Sequence, residues 1–297
     1  DHSAGGRQEL LTGRLHNPSI CPTNPDWLAY EREVGDRHRL MIYQIDKDTV
    51  LTVGADIRGE DPEIYLEQVN ASPDESGEMA ASTETLSFSH GQLDWRPVLD
   101  DEERQWFSYV VKADKTGGNG GIFSSYLNNR GALYKGEPLK ISVDGAPAMP
   151  RWSPDGNRLV YTWRGNLYVI NNLTDLLHNQ ISNGKPQGGT AWAVTPDEEA
   201  SSAGDSPSST LSDPIQLTYH VNRVQHPEWS PDGSYIAYAV QRDNGGALNY
   251  GIHAIAADDK ALSGESVPES IPLTPDLVDS DEDRPSWSPD GNYISYY

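Results

Sequence analysis

"RWSPDGNRLVY" occupies residues 151–161, and close copies recur as "EWSPDGSYIAY" at 228–238 and "SWSPDGNYISYY" at 286–297. Within W-S-P-D-G, proline fixes φ at about −65°. Aspartate can bond its own backbone and glycine can take a φ above zero, so each copy predicts a reversal of the chain. The residues after the turn alternate in polarity, as in a half-buried strand. Each copy therefore predicts a β-hairpin whose first strand ends at tryptophan.

Two further strands follow the first two hairpins. "NLYVIN" (166–171) and "ALNYGIHAI" (247–255) predict third strands. "PIQLTYH" (214–220) and "SIPLTPDL" (270–277) predict fourth strands, which share the letters LT. Four strands per repeat are typical of a propeller blade.

Two degenerate copies of the repeat precede the clear ones. "CPTNPDWLAY" (21–30) aligns without gaps to the repeat, with Cys21 in the tryptophan place and Asn24 in the aspartate place. "DWRPVLDDEERQWFSYV" (94–110) keeps Trp95, with five residues inserted before its second strand. The sequence therefore predicts five blades, or six if the chain continues, in one all-β domain over residues 1–297.

The three clear copies resemble the WD40-like PD40 repeat of the TolB-type β-propellers. The resemblance covers essentially the whole chain and implies a fold more than a function, since such repeats also occur in peptidase propellers and polysaccharide lyases. It implies that the W-S-P strand is innermost and the LT strand outermost. The repeat residues that define blades are Trp152, Pro154, Asp155, Gly156, Trp229, Pro231, Asp232, Gly233, Trp287, Pro289, Asp290 and Gly291.

The two chain ends are expected to meet in one blade. "QELLTGRLHNPSICP" (8–22) predicts an outermost strand that completes the last blade and so closes the ring. That blade begins at Trp287 and has no third strand by Tyr297. We expect either that the chain continues or that a partner supplies the strand, because an open sheet edge pairs readily with another chain.

Two long insertions interrupt the repeats. Residues 56–91 follow the first LT strand, on the face where propellers usually bind partners. Residues 172–213 lie between a third and a fourth strand, on the opposite face, and contain a run of Ser, Pro and acidic residues. A polar, loosely packed loop and a docking arm both fit such a segment.

Composition excludes several classes of function. The formal charge is −23, which argues against a broad basic face for nucleic acid and suits a cationic partner. Cys21 is the only cysteine, so no internal disulfide forms. No run of 18 apolar residues exists to span a membrane. Because the chain begins at Asp1 without Met, either a signal peptide has been removed or the sequence is a fragment. We expect removal, and so a periplasmic or extracellular protein, because propellers are common among exported proteins.

The acidic run before the last repeat is a candidate cation site. Asp279, Asp281 and Asp283 alternate along it, with Glu282 between the last two. Alternating carboxylates can supply oxygen ligands to Ca²⁺, although the glycine and distant glutamate of an EF-hand are missing. A solvated acidic loop explains the same residues.

Three histidines near inner-strand entrances form a second candidate site. His220 and His226 flank one entrance and His90 precedes another. They could meet on one propeller face, yet no H-E-x-x-H motif supports a metal centre.

Three functions remain open. The first is a non-catalytic module that binds a protein through its channel face, its loops or its open blade. The second is the propeller of a larger prolyl-oligopeptidase-like peptidase, although no G-x-S-x-G motif lies in these residues. The third is a propeller that binds or cleaves glycans, which tryptophan and tyrosine would suit.

Overall fold

The structure is a computed structural model. It describes residues 11, 15–34, 37–53, 89–112, 120–135, 138–142, 146–182, 213–244, 247–274 and 282–296. Within these residues, strands form four four-stranded antiparallel sheets and one two-stranded sheet. This confirms the predicted all-β propeller architecture; the described residues contain five blade sheets, and the fifth has two strands.

Each sheet is an up-and-down meander of strands that are consecutive in sequence. Blade 1 contains β1 (Leu15–Ile20), β2 (Trp27–Val34), β3 (Arg37–Gln44) and β4 (Thr49–Thr52). Blade 2 contains β5 (Ser89–Trp95), β6 (Gln105–Lys112), β7 (Gly121–Leu127) and β8 (Leu139–Lys140). Blade 3 contains β9 (Ala148–Trp152), β10 (Leu159–Trp163), β11 (Asn166–Ile170) and β12 (Ile215–Gln216). Blade 4 contains β13 (Val224–Trp229), β14 (Tyr235–Asn244), β15 (Ala247–Ala256) and β16 (Ile271–Pro272). Blade 5 contains β17 (Ser286–Trp287) and β18 (Ile294–Ser295).

Helices are few in the described part of the chain. They are a 3-10 turn (Ile45–Lys47), α1 (Leu173–Ser182) and α2 (Asp259–Leu262). None of these described helices is long and apolar enough to cross a membrane.

Helix α1 occupies the start of the second predicted insertion. Leu173, Leu176 and Leu177 follow the i, i+3, i+4 spacing of one helix face and are buried between blades 2 and 3. Asn157 holds the first turn, because its main-chain oxygen and its Oδ1 accept from the amides of Leu173 and Thr174. The polar centre of that insertion lies outside the described residues.

The register of the first hairpin corrects the sequence alignment. We call the residue at the tryptophan position of W-S-P-D-G the anchor of its blade. In blade 4 the anchor Trp229 pairs with Ile236, whereas in blade 1 Ile20 pairs with Leu28. Ile20 therefore takes the tryptophan place and Cys21 takes the serine place that follows it. The gapless alignment was wrong by one residue because the turn of blade 1 is one residue longer.

Neighbouring blades bury their apolar faces against each other. Three clusters of buried side chains fill the interfaces between blades 1 and 2, 2 and 3, and 3 and 4. Each includes the anchor tryptophan of its later blade: Trp95, Trp152 and Trp229. A single blade could not cover both of its faces, so the stack of blades is the folding unit.

The tryptophans also bond to the preceding blade. The indole Nε1 of Trp95, Trp229 and Trp287 donates to the main-chain oxygen of Ser19, Arg151 and Glu228, at 3.1, 3.2 and 3.3 Å. Each acceptor is the residue just before the anchor position of the preceding blade. The exception is Trp152, whose buried Nε1 has no hydrogen-bond partner within the described residues.

The predicted ring closure falls partly outside the described residues. Residues 15–20 form β1, the inner strand of blade 1, and therefore do not belong to an outermost strand. Residues 8–10 and 12–14 are not described, so closure through this segment stays a prediction. The insertion predicted at 56–91 is described only from Ser89 onward, where β5 begins.

Candidate functional site

The inner strands of blades 1 to 4 each carry a bulge near the anchor residue. In each blade the residue three positions before the anchor has a left-handed backbone, which a non-glycine residue seldom adopts. These residues are Asn17, Gln92, Met149, His226 and Arg284, with φ between 48° and 55°. The strand registers shift at the bulges of blades 1 to 4. Such bulges redirect side chains and are frequent beside functional sites.

The bulges are linked from blade to blade. Oε1 of Gln92 accepts a hydrogen bond from the amide of Met149 at 2.7 Å, and the sulfur of Met149 accepts one from the amide of His226 at 3.1 Å. Oε1 of Glu31 likewise accepts a hydrogen bond from the amide of Gln92 at 2.7 Å. The bulge amides, which the strand ladder leaves without partners, are thus satisfied by side chains from the preceding blade.

Three charged side chains meet along the inner strands, which line the central channel of a propeller. Arg151 Nε lies 3.2 Å from Glu228 Oε2, and Arg151 Nη1 lies 3.8 Å from Asp94 Oδ1. Asp94 Oδ2 also accepts from the amide of Trp152 at 2.7 Å. The three residues hold equivalent repeat positions, directly before the anchor tryptophans of blades 2, 3 and 4. Together with Asp283 they are called the axial cluster below.

The two acids that flank Arg151 have perturbed acidity. Burial raises the pKa of Glu228 to about 7; the charge of Asp94 adds to this effect and Arg151 opposes it. Burial likewise raises the pKa of Asp94, against the pull of Arg151 and the Trp152 amide. Both side chains retain access to solvent, with exposed fractions of 22% for Asp94 and 36% for Glu228. A carboxylate that gains a proton near neutral pH marks a candidate functional site.

Asp283 extends the cluster toward blade 5. Its Oδ1 lies 2.7 Å from Nδ1 of His226 and accepts from Gln225 Nε2 at 3.2 Å. Burial lowers the pKa of His226, although Asp283 opposes the shift. Arg284 and Arg151 lower the pKa further, so the imidazole is neutral at physiological pH.

The adjacent Glu282 lies in a different environment. Its Oε2 is 2.9 Å from Arg242 Nη1, and both side chains are only 8% exposed. Thr274 joins them, accepting from Arg242 Nη2 at 3.0 Å and donating to Glu282 Oε2 at 3.4 Å. This buried pair fixes the chain on both sides of residues 275–281 to blade 4. Glu282 was a predicted binding residue, and its carboxylate is occupied by this pair.

The predicted histidine site is not assembled by the contacts of the described residues. His220 Nε2 lies 3.1 Å from the Tyr238 hydroxyl, whereas His226 pairs with Asp283. His90 lies in β5 opposite Val111, and its side chain is outside the described part.

His220 belongs to a second polar group that sequence reasoning missed. Ser270 Oγ bonds to the Tyr238 hydroxyl at 2.7 Å and to His253 Nδ1 at 2.9 Å. The rings of His220 and His253 meet edge to face, with centroids 5.9 Å apart. Burial raises the pKa of Tyr238 to about 12, despite its bond to Ser270, and lowers that of His220. The group ties the connection between blades 3 and 4 to blade 4.

The predicted calcium site remains a prediction. Asp279 and Asp281 lie outside the described residues, and Asp283 belongs to the axial cluster. Within the residues that the structure describes, no group of three His, Cys, Asp or Glu side chains is placed to hold a metal ion.

The aspartates of the repeat turns bond within their own turns. Asp232 Oδ1 accepts from the Ser230 hydroxyl at 2.6 Å and from the Ser234 amide at 3.0 Å. Asp290 accepts in the same way from Ser288 and Asn292. The hydrogen bond from the serine has the largest effect on the acidity of each aspartate. Together these hydrogen bonds lower the pKa of both aspartates to about 2. The carboxylates are therefore engaged in shaping the turns.

Comparison with known proteins finds similar solved structures but no matching family or curated protein. No family model matches the sequence, and no curated protein matches it. The solved structures that resemble it include a TolB candidate from Agrobacterium tumefaciens, with 16% identity and a TM-score of 0.47 over 96% of this chain and 69% of that one. TolB from Acinetobacter baumannii matches with 15% identity and a TM-score of 0.47, over 96% of this chain and 49% of that one.

An oligogalacturonate lyase in complex with manganese also matches, with 14% identity and a TM-score of 0.45 over 96% of this chain and 59% of the lyase. The chain thus spans between 49% and 69% of the length of these three structures. The TolB-type resemblance of the repeat agrees with the four-stranded sheets described above, and such a fold is shared by propellers with different functions.

Proposed function

We propose that this protein is a non-catalytic propeller of the periplasm or cell exterior that binds another protein at the channel side of its inner strands. The observation that carries the proposal is the axial cluster. It places charged side chains from successive blades side by side, with part of each side chain open to solvent. Charged groups that are only partly desolvated give an interface specificity and fast association.

The chemistry of the cluster suits recognition. Its guanidinium lies between carboxylates on two neighbouring blades, and its imidazole is neutral and held by Asp283. The formal charge of −23 gives the surrounding surface the same sign as the cluster, which steers a basic partner toward it.

The test compares capture of a partner by two variants of equal net charge. One carries Asp94→Asn, Glu228→Gln and Asp283→Asn, and the other carries Asp259→Asn, Glu265→Gln and Glu269→Gln on exposed acids elsewhere. Immobilised wild-type protein should retain a stoichiometric partner from the native envelope or secretome. The channel variant should lose it and the control variant should keep it. Equal capture by both variants would refute a channel-side interface, and the absence of any partner for the wild type would refute the binding function.

The intact mass and terminal sequences of the native protein test the rest of the proposal. An N-terminus at Asp1 after a processed signal peptide supports export. A further segment with a G-x-S-x-G motif would favour the peptidase alternative instead.

A further inference from the structure

We propose that the second polar group is a pH switch, which holds the connection between blades 3 and 4 while at most one of its histidines is charged and releases it when both are charged. The group consists of His220, Tyr238, Ser270 and His253 and is called the histidine latch below. It shares no residue with the axial cluster, so the proposal does not depend on the proposed function.

The latch joins four segments of the chain. His220 lies in the connection between β12 and β13, Tyr238 in β14, His253 in β15 and Ser270 just before β16. Tyr238 and His253 are register partners, so their side chains leave the same face of blade 4. Tyr238 is buried in the apolar interface with blade 3, and the other three residues are half-buried. A hydroxyl in that position needs hydrogen-bond partners, which the latch supplies.

The latch is a row of three hydrogen bonds. Nε2 of His220 bonds to the Tyr238 hydroxyl at 3.1 Å, this hydroxyl bonds to Ser270 Oγ at 2.7 Å, and Oγ bonds to Nδ1 of His253 at 2.9 Å. The two hydroxyls contribute one hydrogen each, and either imidazole can supply the third while the other accepts. Two neutral rings, or one neutral and one charged ring, therefore fill the row with one hydrogen per bond.

A second charge does not fit this row. When both imidazoles are charged, Nε2 of His220 and Nδ1 of His253 both carry hydrogen, so four hydrogens share three bonds and one has no acceptor in the row. The two rings meet edge to face with centroids 5.9 Å apart, so as like charges they also repel each other. We therefore expect the second proton to bind at least about tenfold more weakly than the first.

The surroundings of His220 make the switch respond to acid. Burial lowers the pKa of His220 below its ordinary value of 6.5, and no charged side chain of the described residues contributes to that shift. Asn166, on the β10–β11 hairpin, faces His220 as an uncharged group whose Oδ1 accepts from the His220 amide at 2.8 Å. Arg223 and Glu269, on the two segments that carry His220 and Ser270, are exposed. Because the folded protein binds fewer protons here than the unfolded chain, stability at this site falls as the pH decreases below 6.5.

The imidazole of His220 holds the middle of the connection. At one end the amide of Leu217 donates to the main-chain oxygen of Leu167 at 2.8 Å, and at the other end the amide of Val224 donates to that of Gly165 at 3.0 Å. Both acceptors belong to blade 3. Between these ends, among the hydrogen bonds of the described residues, the side chain of His220 provides the link to blade 4.

The residues on either side of His220 are exposed. The side chain of Tyr219 is 63% exposed and that of Val221 is fully exposed. A segment with so little buried surface opens locally at low cost once its link is lost. We therefore expect residues 219–222 to become mobile when both histidines are charged, while the strands on either side stay in place.

Imidazole ¹⁵N resonances of the full chain, recorded between pH 8 and pH 4.5, test the switch. His220→Gln and His253→Gln assign the two signals. The histidines should take up protons in two steps at least about tenfold apart in affinity. The amides of residues 219–222 should gain mobility in ¹⁵N relaxation at the second step only. His220→Gln should abolish this gain, whereas His16→Gln, which replaces a 46% exposed histidine of blade 1, should leave it unchanged.

Tyr238→Phe separates the hydrogen count from simple repulsion between the rings. Phenylalanine fills the same buried volume but interrupts the row, so each imidazole then bonds independently of the other. The ratio of the two proton affinities should therefore fall by about fivefold, which is the contribution of one hydrogen bond. Ser270→Ala interrupts the row at a half-buried position and should have the same effect.

Two results would overturn the proposal. An unchanged affinity ratio in both Tyr238→Phe and Ser270→Ala would mean that the row does not couple the histidines. Amides of residues 219–222 that stay rigid with both histidines charged would mean that other contacts hold the connection. Neither result bears on the capture of a partner at the axial cluster, so the proposed function is tested separately.

Discussion

Adjacent residues on one inner strand serve two different environments. Trp229 is 5% exposed in the apolar interface between blades 3 and 4, and Glu228 beside it reaches the charged cluster with a 36% exposed side chain. The same step separates Arg151 from Trp152. Alternation along a strand makes this division unavoidable, because successive side chains leave on opposite sides.

The comparison teaches which positions the repeat constrains. The anchor is tryptophan in blades 2 to 5, and the anchors of blades 2 to 4 fill the interfaces with the preceding blades. The residue before the anchor does not fill the interface, and its type varies: two of the five blades have serine and the other three each have a different residue. It is Ser19, Asp94, Arg151, Glu228 and Ser286.

The largest expected effect on stability comes from replacing an anchor tryptophan in an interface between blades. Trp229→Ala should lower the free energy of unfolding by about 3–5 kcal/mol, since it leaves a cavity and removes the indole bond to Arg151. Ile20→Ala is the matched control, because Ile20 holds the same repeat position yet is 64% exposed. We expect it to cost less than about 1 kcal/mol. Urea unfolding followed by circular dichroism measures both, and equal losses would contradict the comparison.

The next largest effect distinguishes the contributions of two neighbouring acidic residues, Glu282 and Asp283, to stability. Glu282→Gln leaves the buried Arg242 guanidinium without its counter-charge and should cost about 3 kcal/mol. Asp283→Asn, at the channel side, should cost less than about 1 kcal/mol, since its partner His226 is neutral. Thermal and urea unfolding of the two variants give the test. The double variant Arg242→Met with Glu282→Leu should recover part of the loss, and no recovery would mean that the pair is not the cause.

A third prediction concerns the turns of the repeat. Gly156 and Gly233 both have positive φ, 68° and 73°, so alanine should cost about 1–2 kcal/mol at either position. A Cβ at Gly156 would lie 2.5 Å from Val98 Cγ2, whereas one at Gly233 meets nothing closer than Pro154 Cδ at 3.8 Å. Gly156→Ala should therefore cost about 1–2 kcal/mol more than Gly233→Ala. Identical urea midpoints for the two alanine variants would show that Val98 of blade 2 moves aside without strain.

Much of the fold could be predicted from the sequence because the same short motif occurs three times. The turn chemistry of W-S-P-D-G and the alternating strand after it recur three times, so the hairpins and blades were predicted from local rules. The alignment at Cys21 failed because one extra turn residue is invisible when the tryptophan itself has been replaced by Ile20. Helix α1 was missed because its three buried leucines belong to a short segment next to a polar run.

Little of the candidate site could be predicted. Asp94, Arg151 and Glu228 are far apart in sequence, and each is an ordinary charged residue in its own strand. They meet because the inner strands of three blades lie side by side. The local acidic run was the visible signal, yet of its described residues Glu282 pairs with the buried Arg242 and Asp283 pairs with His226. Periodic structure reveals where repeats lie, whereas a site built across repeats requires their arrangement in space.

The smallest expected effect is the pH dependence of stability that Glu228 contributes. In the unfolded chain Glu228 loses its proton near the ordinary value of 4.5, while in the folded protein it keeps the proton up to about pH 7. Between these values the unfolded state binds fewer protons than the folded state, so this group lowers stability as pH rises, and its effect levels off about one pH unit above the folded pKa. Glu228→Gln removes that contribution without changing the size of the side chain. The Tm of the variant should therefore match wild type at pH 5 and exceed it increasingly up to pH 8. A Tm difference that is constant across this range would show that Glu228 does not change its charge there, and that the charge of the axial cluster is fixed.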